Sequence, residues 1–180
     1  MRYSAREKTD KKLMFAAILA ALYGLLLITS AVKSSESKSN IIIQAIGITM
    51  GICLMLILAA MDYQVLLTLN KLIFVAYIFL LILVLFIGTG ESVGTVGWIS
   101  LGPVNIQPSE FAKVGFIITF ACHISAVQDK LSRLPTVLLL LLHLCVPLGL
   151  ILLQPDYGTG MVFIFIAIVM LFYAGLKLRY

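Results

Sequence analysis

The chain has 180 residues, of which 62% are apolar and only 12% charged, with a mean hydropathy of +1.12. Soluble domains carry about 45–50% apolar and roughly 25% charged residues, so a soluble globular domain, a disordered chain and a nucleic-acid-binding chain are all excluded. The net charge of +5 gathers at the edges of apolar runs rather than on one continuous face, which leaves an all-α, polytopic integral membrane protein.

At about 20 residues per span plus connections, this length allows five or six transmembrane helices and no sizeable soluble domain. A basic tail over residues 1–12 precedes an uncharged run of 20 residues, Leu13–Val32, and a second run of 21 follows at Ile41–Met61. The run Leu72–Ile87 fades into a glycine-rich stretch, while Leu134–Leu153 is again 20 residues without a charge. Two other runs, Phe111–Ala126 and Gly160–Leu176, reach spanning length when their polar N-terminal turns belong to the helix. Six spans are therefore predicted, over about 13–32, 41–61, 72–88, 108–127, 134–153 and 157–176. The N-terminal run is too long for the apolar part of a signal peptide, and Ser30–Ser39 offers only a weak cleavage site.

Lys and Arg set the orientation. With six spans, the tail, the loops at 62–71 and 127–133 and the C-terminal end share one side and hold ten positive residues. The other side holds Lys33 and Lys38, with Lys113 inside a span and left out of the count. Both termini are thus expected in the cytoplasm. Cys53, Cys122 and Cys145 all fall in apolar runs, and an odd number there argues against a disulfide framework. Cys122–His123 is too little for a metal site. His123 and His143 lie deep in apolar runs, where a lone histidine ordinarily hydrogen-bonds a neighbouring helix and a proton relay is the sharper alternative.

The outward connection at 88–107 is the informative segment. It is long and dense in glycine and proline, which implies a defined turn path. Trp98, Ile99, Leu101, Val104 and Ile106 suggest that it is ordered and docked at the membrane surface. Trp98, the only tryptophan, reads either as an interfacial anchor or as a platform for a sugar or lipid head group. Gln107-Pro108-Ser109-Glu110 has the form of a helix start, with proline at the first helical position. A cap at Gln107 puts Glu110 where its carboxylate can reach back to free N–H groups. Lys113 lies one turn beyond Glu110 on the same face. The two either neutralise each other or leave Lys113 to meet a phosphate below head-group level. Gln154-Pro155-Asp156-Tyr157-Gly158-Thr159-Gly160 repeats the Gln-Pro-acid arrangement 47 residues later, on the same outer side. Asp156 there reads as a helix cap or as a hydrogen-bonding group for a sugar or an ion.

The stretch Gly-Trp-Ile-Ser-Leu-Gly-Pro-Val-Asn-Ile-Gln-Pro-Ser-Glu-Phe-Ala-Lys over 97–113 resembles the signature region of the RodA/FtsW/SpoVE, or SEDS, family. Leu-Gln-Pro-Asp-Tyr-Gly-Thr-Gly over 153–160 is similar to that family's second signature. Two motifs in the right order at span ends make the match specific, and it extends from Leu13 onward. The resemblance implies the first part of a ten-helix fold in the bacterial plasma membrane. It also implies peptidoglycan glycosyltransfer, the polymerisation of lipid II into nascent glycan during elongation, division or sporulation, with a class B penicillin-binding protein as partner. Trp98 falls on the family's tryptophan, Gln107, Pro108, Ser109, Glu110 and Lys113 on its first motif, and Gln154, Pro155, Asp156, Gly158 and Thr159 on its second. Gly97 stands where the family usually has a basic residue, and Tyr157 where it usually has leucine. The family's catalytic aspartate is expected beyond residue 180, so the chain is expected to be an N-terminal portion, inactive alone, in which no residue inherits that role. No cofactor is implied within it, although a divalent cation could accompany the whole enzyme. A transporter for lipid-linked precursors, built like other proteins with polar helix breaks, and a non-catalytic scaffold of the cell-wall machinery are the alternatives.

Overall fold

The computed structural model describes residues 10–31, 37–60, 63–89, 95–102, 104–131 and 133–176. Most of the basic tail, Lys33, Lys177 and Arg179 lie outside these residues, as does part of the outer loop. The chain divides into two compact units, Met1–Tyr63 and Gln64–Tyr180.

In the first unit, α1 (Lys11–Ala31) and α2 (Ser37–Ala60) pack against each other. Asp10 starts α1, its Oδ1 accepting from the backbone N–H groups of Lys12 and Leu13 at 2.9 and 3.2 Å, the usual satisfaction of free N–H groups at a helix start. Every described side chain of α1 and α2 stays at least partly exposed.

The second unit begins in the short α3 (Tyr63–Thr68) and runs through α4 (Asn70–Ile87), β1 (Ile99–Leu101), β2 (Val104–Ile106), α5 (Pro108–Ala126), a single 3-10 turn at Gln128–Lys130, α6 (Leu134–Leu152) and α7 (Tyr157–Tyr173). Helix α5 is central and packs against α4, α6 and α7. Each helix turns one stripe inward at the spacing of a single helical face. These stripes are Tyr77, Leu81 and Val84 on α4, Ala112, Phe116 and Phe120 on α5, Leu140, Leu144 and Ile151 on α6, and Phe163 and Ala167 on α7. Gly115 lets α4 and α5 approach closely, because a Cβ there would lie 2.7 Å from the Tyr77 ring, the role small residues play between membrane helices. Outward faces remain apolar, with Phe86 at 82% and Phe172 at 70% exposure, as a surface meant for lipid requires.

The chain is an all-α, multi-pass membrane protein. Among the described residues four helices, α1, α2, α4 and α6, are long and apolar enough by themselves to cross a bilayer. Helix α7 is apolar but has 17 residues, and α5 carries Glu110 and Lys113 near its start. Helix α7 ends where Gly175 adopts φ +84°. The N–H of Leu176 then bonds back to Leu171 and that of Gly175 to Phe172, closing otherwise free carbonyls.

Candidate functional site

The connection between α4 and α5 folds back on itself. Gly88 ends α4 in extended conformation, its N–H still bonded to Val84. A Cβ at Gly88 would lie 2.0 Å from the Val96 carbonyl oxygen and 2.3 Å from that of Val84, so two backbone segments meet where only glycine fits. Thr89 then donates its N–H to the Trp98 carbonyl at 2.6 Å, tying the two ends of the loop. Beyond Trp98, β1 and β2 form an antiparallel hairpin with Ile99 opposite Ile106 and Leu101 opposite Val104. Gly102 turns the hairpin at φ +70°, a conformation strained for any L side chain. The two strands are a local ornament on an all-helical fold, and they deliver the chain to the start of α5. Trp98 is half-buried.

Gln107 precedes α5 in extended conformation, with Pro108 in the first turn, but its side chain makes no bond to the helix start. Gln107 thus holds the cap position that the sequence suggested, without a side-chain bond to the helix. The amide reaches across to the other motif instead, where Nε2 donates to Asp156 Oδ2 at 2.8 Å. Glu110 likewise turns away from the helix start, and its Oε1 accepts from Lys113 Nζ at 2.7 Å. Ser109 is fully buried, and its Oγ has no hydrogen-bond partner.

The second motif makes the turn from α6 into α7. Asp156 Oδ1 accepts from the Thr159 backbone N–H at 3.0 Å, so Asp156 does cap α7, with its other oxygen on Gln107. Gln154 is completely buried. Its Nε2 donates to the Leu81 carbonyl of α4 at 3.3 Å, whereas its Oε1 has no partner. Gly97 is the piece between the motifs: a Cβ there would lie 3.4 Å from Gln154 Oε1 and 4.0 Å from both Asp156 Oδ2 and Gln107 Nε2. Pro155 and Gly158 are exposed, and Thr159 is buried.

The structure thus brings Gln107, Gln154 and Asp156 together around Gly97 at one end of the second unit. Glu110 and Lys113 form a separate pair on α5. Both carboxylate oxygens of Asp156 are occupied by protein donors, which suits a clamp between helix ends better than a proton acceptor. A buried amide with one unmet acceptor costs about 1–3 kcal/mol. Gln154 and Ser109 therefore mark a place where packing alone does not account for the residues present.

A second polar cluster lies deeper. His123 Nδ1 and His143 Nδ1 are 3.1 Å apart, and Thr119 Oγ1 lies 3.2 Å from His143 Nε2. Phe74, Phe116 and Phe120 surround the His143 ring edge-on. Each histidine does bond a neighbouring helix, but its partner is the other histidine. A signal was available in the polar stripe Thr119, Cys122 and His123 on α5, spaced three and four residues apart.

The family model described as a cell cycle protein of the FtsW/RodA/SpoVE type matches residues 10–180. The peptidoglycan glycosyltransferase RodA of Treponema pallidum is 33% identical over 99% of this chain and 42% of its own length. The crystal structure of the rod shape determining protein RodA of Thermus thermophilus superimposes with a TM-score of 0.75 at 29% identity, covering 93% of this chain and 54% of that one. A chain from a solved peptidoglycan synthase complex, described as coordinating polymerization and crosslinking, gives a TM-score of 0.78 at 27% identity over 92% of this chain and 48% of that one. The chain spans about half the length of these relatives.

Proposed function

Because the chain belongs to the FtsW/RodA/SpoVE family of cell cycle proteins, we propose that it supplies the substrate-facing framework of a peptidoglycan glycosyltransferase that polymerises lipid II. The observation that carries this reading is the Gln107–Asp156 hydrogen bond. Two motifs 49 residues apart, each at a helix start, close on each other and leave buried, unmet polar atoms on Ser109 and Gln154 beside them. Ten positive residues against two support cytoplasmic termini, which puts the clamp and the hairpin at the outer face of the plasma membrane.

Glycosyl transfer by inversion needs a general base for the attacking hydroxyl and positive charge for the departing diphosphate. Lys113 fits the second role. Its side chain is 22% exposed and held by Glu110, a pairing that a phosphate can exchange. The base is assigned to neither acid, since Glu110 is paired with Lys113 and both oxygens of Asp156 are engaged. Gln107, Gln154 and Asp156 would fix the relative positions of the helix ends, with the half-buried Trp98 next in sequence to Gly97. Among the described residues no group of three or more His, Cys, Asp or Glu comes together.

A class B penicillin-binding protein is the proposed partner, supported by the likeness to a chain of a peptidoglycan synthase complex. The test is reconstitution of this chain, alone and extended to the full length of its relatives, with fluorescent lipid II and such a partner, with glycan ladders expected on gels from the extended form. Lipid II that crosses vesicles without forming polymer would replace the enzyme by a transporter. Partner binding with neither activity would reduce the protein to a scaffold.

A further inference from the structure

The histidine pair lines a cavity that the clamp does not use. It has a volume of about 470 Å³ and is walled by Asn70, Lys71 and Phe74 of α4, Thr119 and His123 of α5, and His143 of α6, among others. That is within the size of pockets that hold small ligands. Most of the wall is apolar, and its polar groups are concentrated where α4 begins.

The charge in this cavity is unbalanced. Lys71 is the second residue of an 18-residue apolar helix, and no carboxylate lies within ion-pair reach of it among the described residues. None of the described residues lining the cavity is a carboxylate. Lys71 could extend to water along its own stem, but that leaves the imidazole end unexplained. His123 spends Nδ1 on His143, so its Nε2 is the nitrogen left for a ligand. A proton donated from His123 Nε2 has a consistent continuation inward. His123 Nδ1 then accepts from His143 Nδ1–H at 3.1 Å, and His143 Nε2 accepts from the Thr119 hydroxyl at 3.2 Å when that hydroxyl turns its one proton from the Phe116 carbonyl, 3.3 Å away, to the imidazole. Every member of the chain is then satisfied, and the cavity is presented with an ammonium, an imidazole N–H and the Asn70 amide. Three donors, no acid and an apolar wall describe the complement of an oxyanion attached to a hydrocarbon chain.

We propose that this cavity binds the phosphate head group of an anionic phospholipid, with Lys71 and His123 contacting the phosphate and acyl chains running along Phe74. Basic pockets between transmembrane helices are known to take such head groups. The site is separate from the Gln107–Asp156 clamp and does not depend on the glycosyltransferase reading. His143 and Thr119 act as positioning residues that set which nitrogen of His123 carries the proton.

Native mass spectrometry of the purified chain, titrated with phosphatidylglycerol or with phosphatidylcholine of the same acyl chains, tests this. One phosphatidylglycerol should be retained per chain, at least tenfold more tightly than phosphatidylcholine. Lys71→Gln should erase that preference, Lys71→Arg should keep it within about twofold, and Lys130→Gln, a cation outside the cavity, should leave it unchanged. Should Lys71→Gln lose helicity, His123→Gln carries the same test, with several-fold weaker retention expected. Equal retention of the two lipids, or indifference to both cavity substitutions in folded protein, overturns the proposal and leaves the cavity to be covered by protein. Displacement of the lipid by low-millimolar inorganic phosphate would show a soluble oxyanion to be the ligand and would equally overturn the lipid assignment.

Discussion

The clamp between the motifs makes a quantitative prediction. Asp156→Ala removes two interactions at once: the acceptor of Gln107 Nε2 at 2.8 Å and the cap on Thr159 at 3.0 Å. Loss of a capping acid typically costs about 1 kcal/mol, and a hydrogen bond to a charged group contributes about 1.5–3 kcal/mol. The site is partly buried, so the substitution should destabilise by about 2–4 kcal/mol in all. Gln107→Ala forfeits the shared bond alone and should cost about 1.5–3 kcal/mol. In the double variant that bond is already gone, so the two effects should fall short of their sum by about 1.5–3 kcal/mol. Asp156→Asn keeps a good capping residue, and Gln107 can turn its amide oxygen toward it, leaving a cost near 1 kcal/mol. Unfolding by SDS in mixed micelles, followed by helix circular dichroism and by emission of Trp98, the only tryptophan, would measure all four. Strict additivity, within about 0.5 kcal/mol, would refute a direct bond between the motifs.

Three other outcomes follow from the same geometry. Gly88→Ala puts a methyl group against two backbone carbonyls and should cost at least the upper part of the usual overpacking range, about 3 kcal/mol, with a shifted Trp98 emission; wild-type stability and emission would show that the loop ends do not meet there. Lys113→Ala removes a partly exposed pair worth about 0.5 kcal/mol, so unfolding should barely move, while polymerisation by the protein extended to its relatives' full length should fall at least tenfold. Equal polymerisation would make Lys113 only a structural partner of Glu110. Gln154→Met loses the bond to Leu81, about 1 kcal/mol, but also removes the unmet Oε1, which costs about 1–3 kcal/mol. Its stability should therefore lie between wild type and about 2 kcal/mol above it, while polymerisation by the protein extended to its relatives' full length drops; a clear loss of stability would show that Oε1 has a partner.

Much of this protein could be read without coordinates because the membrane restricts the choices. Long uncharged runs such as those in α1, α2 and α6 can satisfy their backbone only as helices in lipid, so the all-α, multi-pass class follows from hydropathy. The motif residues were legible for a different reason: polar side chains at the ends of such runs are costly and stand out. Their partners were not legible. Gln107 followed by Pro108 and Glu110 carries every local sign of a capped helix, yet its amide is drawn to Asp156 49 residues away, since a part-buried carboxylate is a stronger acceptor than the local alternatives. Gly97, by sequence a mere departure from a basic residue, sits against Gln154, Asp156 and Gln107.

A mean hydropathy of +1.12 and the two motifs suffice, then, for class and family, because the cost of unpaired backbone in lipid and the rarity of polar groups at span ends act residue by residue. Which polar groups meet is settled by how the helices pack. Gly115 admits Tyr77 to the side of α5, α6 packs against both α4 and α5, and His143 thereby reaches His123 across 20 residues of chain. No local pattern encodes that distance. It arises only when the apolar stripes of the helices have been buried against one another.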